Sequence, residues 1–101
     1  MILALLVRVK PRAERQIDKA AAWWSENRPA APGAIRKDLK AALAALVEQP
    51  GIGAKVENPR NQEVRRLYLP RTRYFVYYRV KGQYLEVVAF WHESRESRPS
   101  V

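Results

Sequence analysis

The sequence predicts an α+β domain in which an N-terminal strand and a helical hairpin precede a three-stranded antiparallel meander, all four strands joining one sheet. Three observations carry this reading. An apolar run opens the chain, two segments with helical spacing of apolar residues follow, and the C-terminal third is dense in Val, Tyr, Phe and Leu interrupted by short turns. A chain of 101 residues has room for one such core. Residues 1–96 are expected to form that domain, with 97–101 as a flexible C-terminal tail.

The first strand spans residues 2–9: Ile2 to Val7 is apolar, and polar residues enter on alternate positions at Arg8 and Lys10, the pattern of a strand largely covered by other elements. The run is too short for a secretory leader and has no cationic stretch before it, so it is read as structure. Pro11 suits a first helical turn, and Ala13, Ile17, Ala20, Ala21 and Trp24 recur at helical spacing to about Asn27. Pro29 and Pro32 break that helix. Ile35, Leu39, Ala42, Leu43, Leu46 and Val47 then stripe a second helix that stops before Pro50. Residues 51–62 carry neither period and are expected to be an exposed loop.

The meander strands are expected at 63–69, 72–80 and 84–91, with Pro70-Arg71 and Lys81-Gly82 as turns. A two-residue turn at Lys81-Gly82 pairs Val80 with Gln83, Tyr78 with Leu85, Val76 with Val87 and Tyr74 with Ala89. That set, with Trp91, is expected to face the core. The other face then gathers Arg79, Tyr84, Tyr77, Glu86, Phe75, Val88, Arg73 and Phe90, with Arg71 near His92.

Nineteen Lys and Arg against 10 Asp and Glu give a net charge of +9, which suits nucleic acid, an anionic surface or an acidic protein. Seven of the cations fall between Arg60 and Lys81 with Glu63 the sole acid among them, and tyrosines are interleaved there. Such a stretch contacts phosphates while stacking bases, or holds carboxylates equally well. The absence of cysteine excludes disulfides and thiolate chemistry and permits a reducing cytoplasm. With one histidine there is no histidine-rich metal site; no metal and no cofactor is expected, nor a membrane partner, since no run approaches the ~20 apolar residues that span a bilayer.

His92 is the one residue of the type that shuttles protons near neutrality. It reads either as a strand-end histidine bonded to a neighbour or as a general acid or base, with Arg65, Arg71 or Arg73 stabilising phosphate charge and Glu86 or Glu63 completing the pair. Trp23 and Trp24 point about 100° apart on one helix, so both cannot occupy the centre of one stripe. Trp24 follows the core pattern; Trp23 lies at its edge, packed there or exposed to a partner.

Ala22-Trp23-Trp24-Ser25-Glu26, the helix exit from Leu46 to Pro50-Gly51, Val64-Arg65-Arg66-Leu67, the run Tyr74 to Val80 and the run Leu85 to His92 occur in an order that resembles the RelE/ParE superfamily of bacterial toxins, over about 90 residues. The resemblance implies a toxin neutralised by a cognate antitoxin. RelE-like members cut messenger RNA on the ribosome, whereas ParE-like members poison DNA gyrase. The double tryptophan and the strand ending in His92 with Glu93-Ser94-Arg95 look more ParE-like, and no tyrosine follows Tyr84, where the nuclease branch often carries one near the histidine. The expected function is therefore a non-enzymatic gyrase inhibitor, with a metal-independent endoribonuclease using Arg65, Arg73 and His92 as the alternative, and a basic module without toxicity as the third reading.

Residues expected to meet the target are Arg65, Arg66, Arg71, Arg73, Tyr77, Arg79, His92 and Arg95. Those expected to meet the antitoxin are Trp23, Arg36, Lys40 and Arg73. The antitoxin itself is expected to be acidic and to fold as it docks, drawn in by the basic face, and no self-association is expected without it.

Overall fold

The structure is a computed structural model that describes residues 4–101. Its elements are β1 (Leu6–Val9), α1 (Pro11–Asn27), α2 (Ala34–Leu46), a 3-10 turn (Pro50–Ile52), β2 (Ala54–Val56), β3 (Val64–Leu69), β4 (Tyr74–Lys81) and β5 (Tyr84–His92). The strands form one sheet in the order β1-β5-β4-β3-β2, with β1 parallel to β5 and the other pairs antiparallel. The two helices cover one face. The α+β layout and both helices stand as expected, and the sheet has five strands rather than four.

The additional strand lies within the expected loop 51–62. Ala54, Lys55 and Val56 pair with Arg66, Arg65 and Val64, and three residues are too few to display an alternation in the sequence. The 3-10 turn before it is tied down by Tyr78, whose hydroxyl donates to the Pro50 carbonyl at 2.7 Å and accepts from Gly53 N–H at 2.9 Å. A Cβ on Gly53 would lie 2.5 Å from that hydroxyl and 2.8 Å from the Arg66 carbonyl, so glycine is what lets the turn close on the sheet.

The first strand also departs from expectation. Ile2 and Leu3 lie outside the described residues, and β1 occupies a sheet edge rather than a covered position, leaving Leu6 54% and Val7 43% exposed. Apolar composition alone does not separate a central strand from an edge strand, because both need only one packed face.

The β4–β5 hairpin closes one residue later than expected: Lys81 pairs with Tyr84 across Gly82-Gln83, with Gly82 at φ 59°. A two-residue turn of this hand needs positive φ at its first central position, which places glycine there rather than second. The expected pairs are accordingly replaced by Val80 with Leu85, Tyr78 with Val87 and Tyr77 with Ala89. Between the last two, Val88 has no counterpart on β4, a β-bulge that changes which residues face the helices. Leu85, Val87 and Phe90 join Val76, Tyr78, Ile17, Ile35, Leu39 and Leu46 in the core under the helices. Val88 and Ala89 pack with Val56, Val64 and Tyr77 on the opposite face, joined by Phe75 and Trp91. The expected core positions of Ala89 and Trp91 are thereby corrected, as is the expected outward position of Phe90.

The tail turns back onto this second face: Pro99 is buried, Val101 packs on the Tyr77 cluster, and the Trp91 indole N–H donates to the Ser97 carbonyl at 2.6 Å.

Glu86, 1% exposed, sits in an otherwise apolar strand because two guanidiniums converge on it. Arg79 on β4 donates to Oε1 at 2.8 Å, and Arg8 on β1 donates to Oε2 at 3.1 Å while lying 3.7 Å from the Tyr84 ring centre. The hydrogen bond from Arg79 is the main reason the Glu86 carboxyl is held below its ordinary value against the opposing effect of burial, with Arg8 adding to it. A depressed folded value means that this stabilisation is complete above the unfolded value near 4.5 and is lost as pH falls through the folded one. Unfolding followed between pH 7 and 2 should therefore show stability declining from about pH 4.5 downward. Glu86→Gln should lower stability at pH 7 by about 2–3 kcal/mol and flatten that decline.

Candidate functional site

The cations expected to share one face are divided by the fold between internal ties and two separate surfaces. Arg65 is an internal tie. Its guanidinium donates to the Gly53 carbonyl at 2.7 Å, the Gly51 carbonyl at 3.2 Å and the Glu63 carboxylate at 3.1 Å, binding the 3-10 turn to β3. Arg79 is likewise spent on Glu86 and on the Gln62 side chain. Neither Glu86 nor Glu63 stands beside His92 as an acid-base partner; each is held by arginine.

The open face of the sheet carries alternate residues of β3, β4 and β5, and here guanidiniums stack on rings. Arg66 lies 4.1 Å from the Phe75 ring centre and donates to the Tyr77 hydroxyl at 3.2 Å. Phe75 in turn packs on Tyr68 at 5.1 Å. Arg95 covers Trp91 at 3.6 Å. Toward the other end of this face, Lys10, Arg12, Arg60 and Arg79 rim a cavity of about 560 Å³ floored by Val64 and Val88. Such a surface can hold anionic groups between planar side chains.

The second surface lies on the helix side, where the end of α1 meets the β3–β4 turn and the end of β5. That turn is longer than expected: Pro70 to Arg73 all stand outside the strands, and Leu69 pairs directly with Tyr74. Arg73 closes it at φ 65°, its N–H donating to the Leu69 carbonyl at 2.8 Å, and its own carbonyl accepts from Glu93 N–H at 2.9 Å. Left-handed backbone at a residue with a Cβ costs on the order of 1 kcal/mol, here offset by those two bonds. Arg71 reaches across to α2 and grips Asp38 with two hydrogen bonds, at 2.5 and 3.2 Å, and this carboxylate raises the guanidinium's already high value.

Between these elements is a cavity of about 550 Å³ walled by Trp23, Trp24 and Tyr74, with Arg28, Arg71 and Arg73 around it and Thr72, His92 and Ser94 completing it. His92 enters this cavity because the bulge in β5 turns it to the helix side. Its Nδ1 accepts from Ser94 N–H at 3.1 Å and lies 2.7 Å from the Ser94 hydroxyl, so the neutral ring carries its proton on Nε2. The Tyr74 ring stands perpendicular to it at 4.9 Å, and burial pushes the Tyr74 phenol up, keeping it protonated.

The expected residue sets are thus redistributed. Arg71, Arg73 and His92 meet in the helix-side cavity together with Trp23, which is 48% exposed. Arg66, Tyr77 and Arg95 belong to the open face. Arg36 is exposed and paired with Asp18 at 2.6 Å, and Lys40 is exposed further along α2; neither lines the cavity. Arg65 does not join Arg73 and His92, so the three do not form one constellation. Thr72 and Asp38 were not singled out by the sequence, which offers no signal for a turn threonine or for a carboxylate whose partner lies 33 positions away. No group of three or more His, Cys, Asp or Glu that could hold a metal occurs among the described residues, and no helix is long and apolar enough to cross a membrane.

Residues 7–97 match the family model described as the ParE toxin of the type II toxin-antitoxin system parDE. Toxin RelE1 of Caulobacter vibrioides is 30% identical over 90 residues, an alignment covering 89% of this chain and 95% of that protein. Among solved structures, a chain of the chromosomal ParDE toxin-antitoxin system from P. aeruginosa shares the fold, with a TM-score of 0.71, 20% identity and coverage of 88% of this chain and 96% of that one. The chain belongs to the ParE toxin family of type II toxin-antitoxin systems, within the RelE/ParE superfamily. An antitoxin is therefore among its partners.

The geometry separates structural from available arginines. Arg65→Ala should lower stability by about 1–3 kcal/mol, because it strips hydrogen bonds from two carbonyls beside the buried Tyr78. Arg66→Ala, on the open face, should change it by less than about 0.5–1 kcal/mol. Urea denaturation of the two variants side by side checks this.

Proposed function

We propose that this toxin acts on DNA gyrase as a protein ligand, in the cytoplasm of the cell that makes it, and that an acidic antitoxin neutralises it by covering its basic surfaces. The observation that carries this reading is the dispersal of the nuclease set. Arg65 is committed to backbone carbonyls of the 3-10 turn, while Arg73 and His92 lie in another cavity. General acid-base cleavage of RNA needs its proton-transfer and phosphate groups within hydrogen-bond reach of one scissile bond. What the open face offers instead is guanidiniums stacked on Phe75 and Trp91, a surface suited to docking on protein or on the DNA that gyrase holds. The family match to ParE toxins supports the same choice.

The test is a supercoiling and DNA-cleavage assay with purified toxin. Micromolar toxin should inhibit supercoiling, His92→Ala should retain that inhibition, and the pair Arg66→Ala with Arg95→Ala should weaken it roughly tenfold or more. Absence of inhibition by the unmodified protein, together with messenger cleavage on ribosomes that His92→Ala abolishes, would overturn the proposal in favour of an endoribonuclease.

A further inference from the structure

The charge of this protein is divided unevenly between its two layers. The helical layer, residues 11–49, carries seven Lys and Arg against five Asp and Glu, so both signs are interspersed there. Residues 1–10 and 50–101, which supply the sheet with its turns and tail, carry twelve against five and so hold +7 of the net +9. Three of those five acids are already matched: Glu86 by Arg8 and Arg79, Glu63 by Arg65, and Glu93 by Arg73. Four cations of the open face, Lys10, Arg60, Arg66 and Arg95, have no carboxylate partner among the described residues. All four keep surface exposure. They come from four separate segments, the entry to α1, the loop before β3, β3 itself and the tail beyond β5, so their charge is spread along the face instead of converging on one point.

Protein surfaces mix both signs, and a face so weighted toward cations matches a partner of one sign. Duplex DNA presents a phosphate every ~3.4 Å of axis along each strand. Five β-strands at ~4.8 Å cover roughly 19 Å, room for four such contacts. The aromatic rings decide between double and single strands. Arg66 lies over Phe75 and Arg95 over Trp91, so a guanidinium already occupies a stacking position on each ring. Bases of a single strand need an open ring to stack on, whereas phosphates need only the cations.

We infer that the open face binds the sugar-phosphate backbone of duplex DNA, with Lys10, Arg60, Arg66 and Arg95 each neutralising a phosphate. This rests on the gyrase reading for its setting and deepens it, assigning the open face to the DNA in that complex and not to the enzyme's polypeptide.

The test contains no gyrase: purified toxin is titrated against a fluorescein-labelled duplex of about 16 bp and followed by anisotropy between roughly 50 and 200 mM KCl. Four phosphate contacts give an expected slope of log K against log salt of about −3.6, which is roughly a hundredfold loss of affinity over that range. Lys10→Gln, Arg60→Gln, Arg66→Gln and Arg95→Gln should each make the slope shallower by about 0.9. Lys19→Gln and Lys37→Gln, exposed on the helices, should leave it unchanged. A single strand of the same length should bind no more tightly than the duplex, and poly-glutamate should compete about tenfold less well, charge for charge. A slope shallower than about −2, equal changes from the helix variants, tighter binding of the single strand, or equal competition by poly-glutamate would each overturn the inference, the last in favour of an acidic protein. A toxin that binds the duplex without inhibiting supercoiling would sink the gyrase reading alone, and one that inhibits supercoiling without binding the duplex would sink this inference alone.

Discussion

One extra residue in β5, Val88, is the constraint on which both faces of the sheet depend. Up to Val87 the outer edge of β5 is paired with β1, which ends at Val9. Beyond that point α1 supplies the partners: Arg12 donates to the Val88 carbonyl at 3.1 Å, and Gln16 accepts from Phe90 N–H at 2.8 Å. These two side chains, one helical turn apart, satisfy backbone groups that a free edge would leave to water. The bulge also reverses the alternation of everything after it. Phe90 turns inward and stacks on Tyr74 at 4.5 Å with the rings 6° from parallel, Trp91 turns outward beneath Arg95, and His92 is delivered to the end of α1.

The same geometry decides how a strongly basic protein distributes its charge. Arg8 and Arg79 neutralise a carboxylate inside the sheet, Arg65 ties down the turn ahead of β2, and Arg71 links the β3–β4 turn to α2. These arginines are structural, and their charge is largely answered within the chain. Among the cations these ties leave unspent are Arg66, Arg95, Lys10 and Arg60 on the open face, and Arg28 with Arg73 on the helix side. A toxin must meet both a target and an antitoxin, and two basic surfaces separated by a sheet allow the two roles to be carried by different residues. Association with acidic partners should be steered by the field of both.

Elements whose signal is local or repeated can be read from the amino-acid order alone. The two helices were legible because apolar residues recur over 17 and 13 residues with prolines at the boundaries. The three long strands were legible from their composition, and the family from the order of motifs along nearly the whole chain. Candidate site residues were legible as residue types, Arg, Tyr, Trp and His, without their arrangement.

The remaining features come from long-range pairing, because contact between distant segments has no signature in either segment alone. Three residues at 54–56 become a strand because β3 offers an edge. Gly82 sits first rather than second in its turn because of the twist the two strands demand. Val88 is set as a bulge by α1, more than 70 positions away. The division of the arginines into ties and free cations follows from that register, since it determines whether a guanidinium ends beside Glu86, beside a backbone carbonyl, or in solvent.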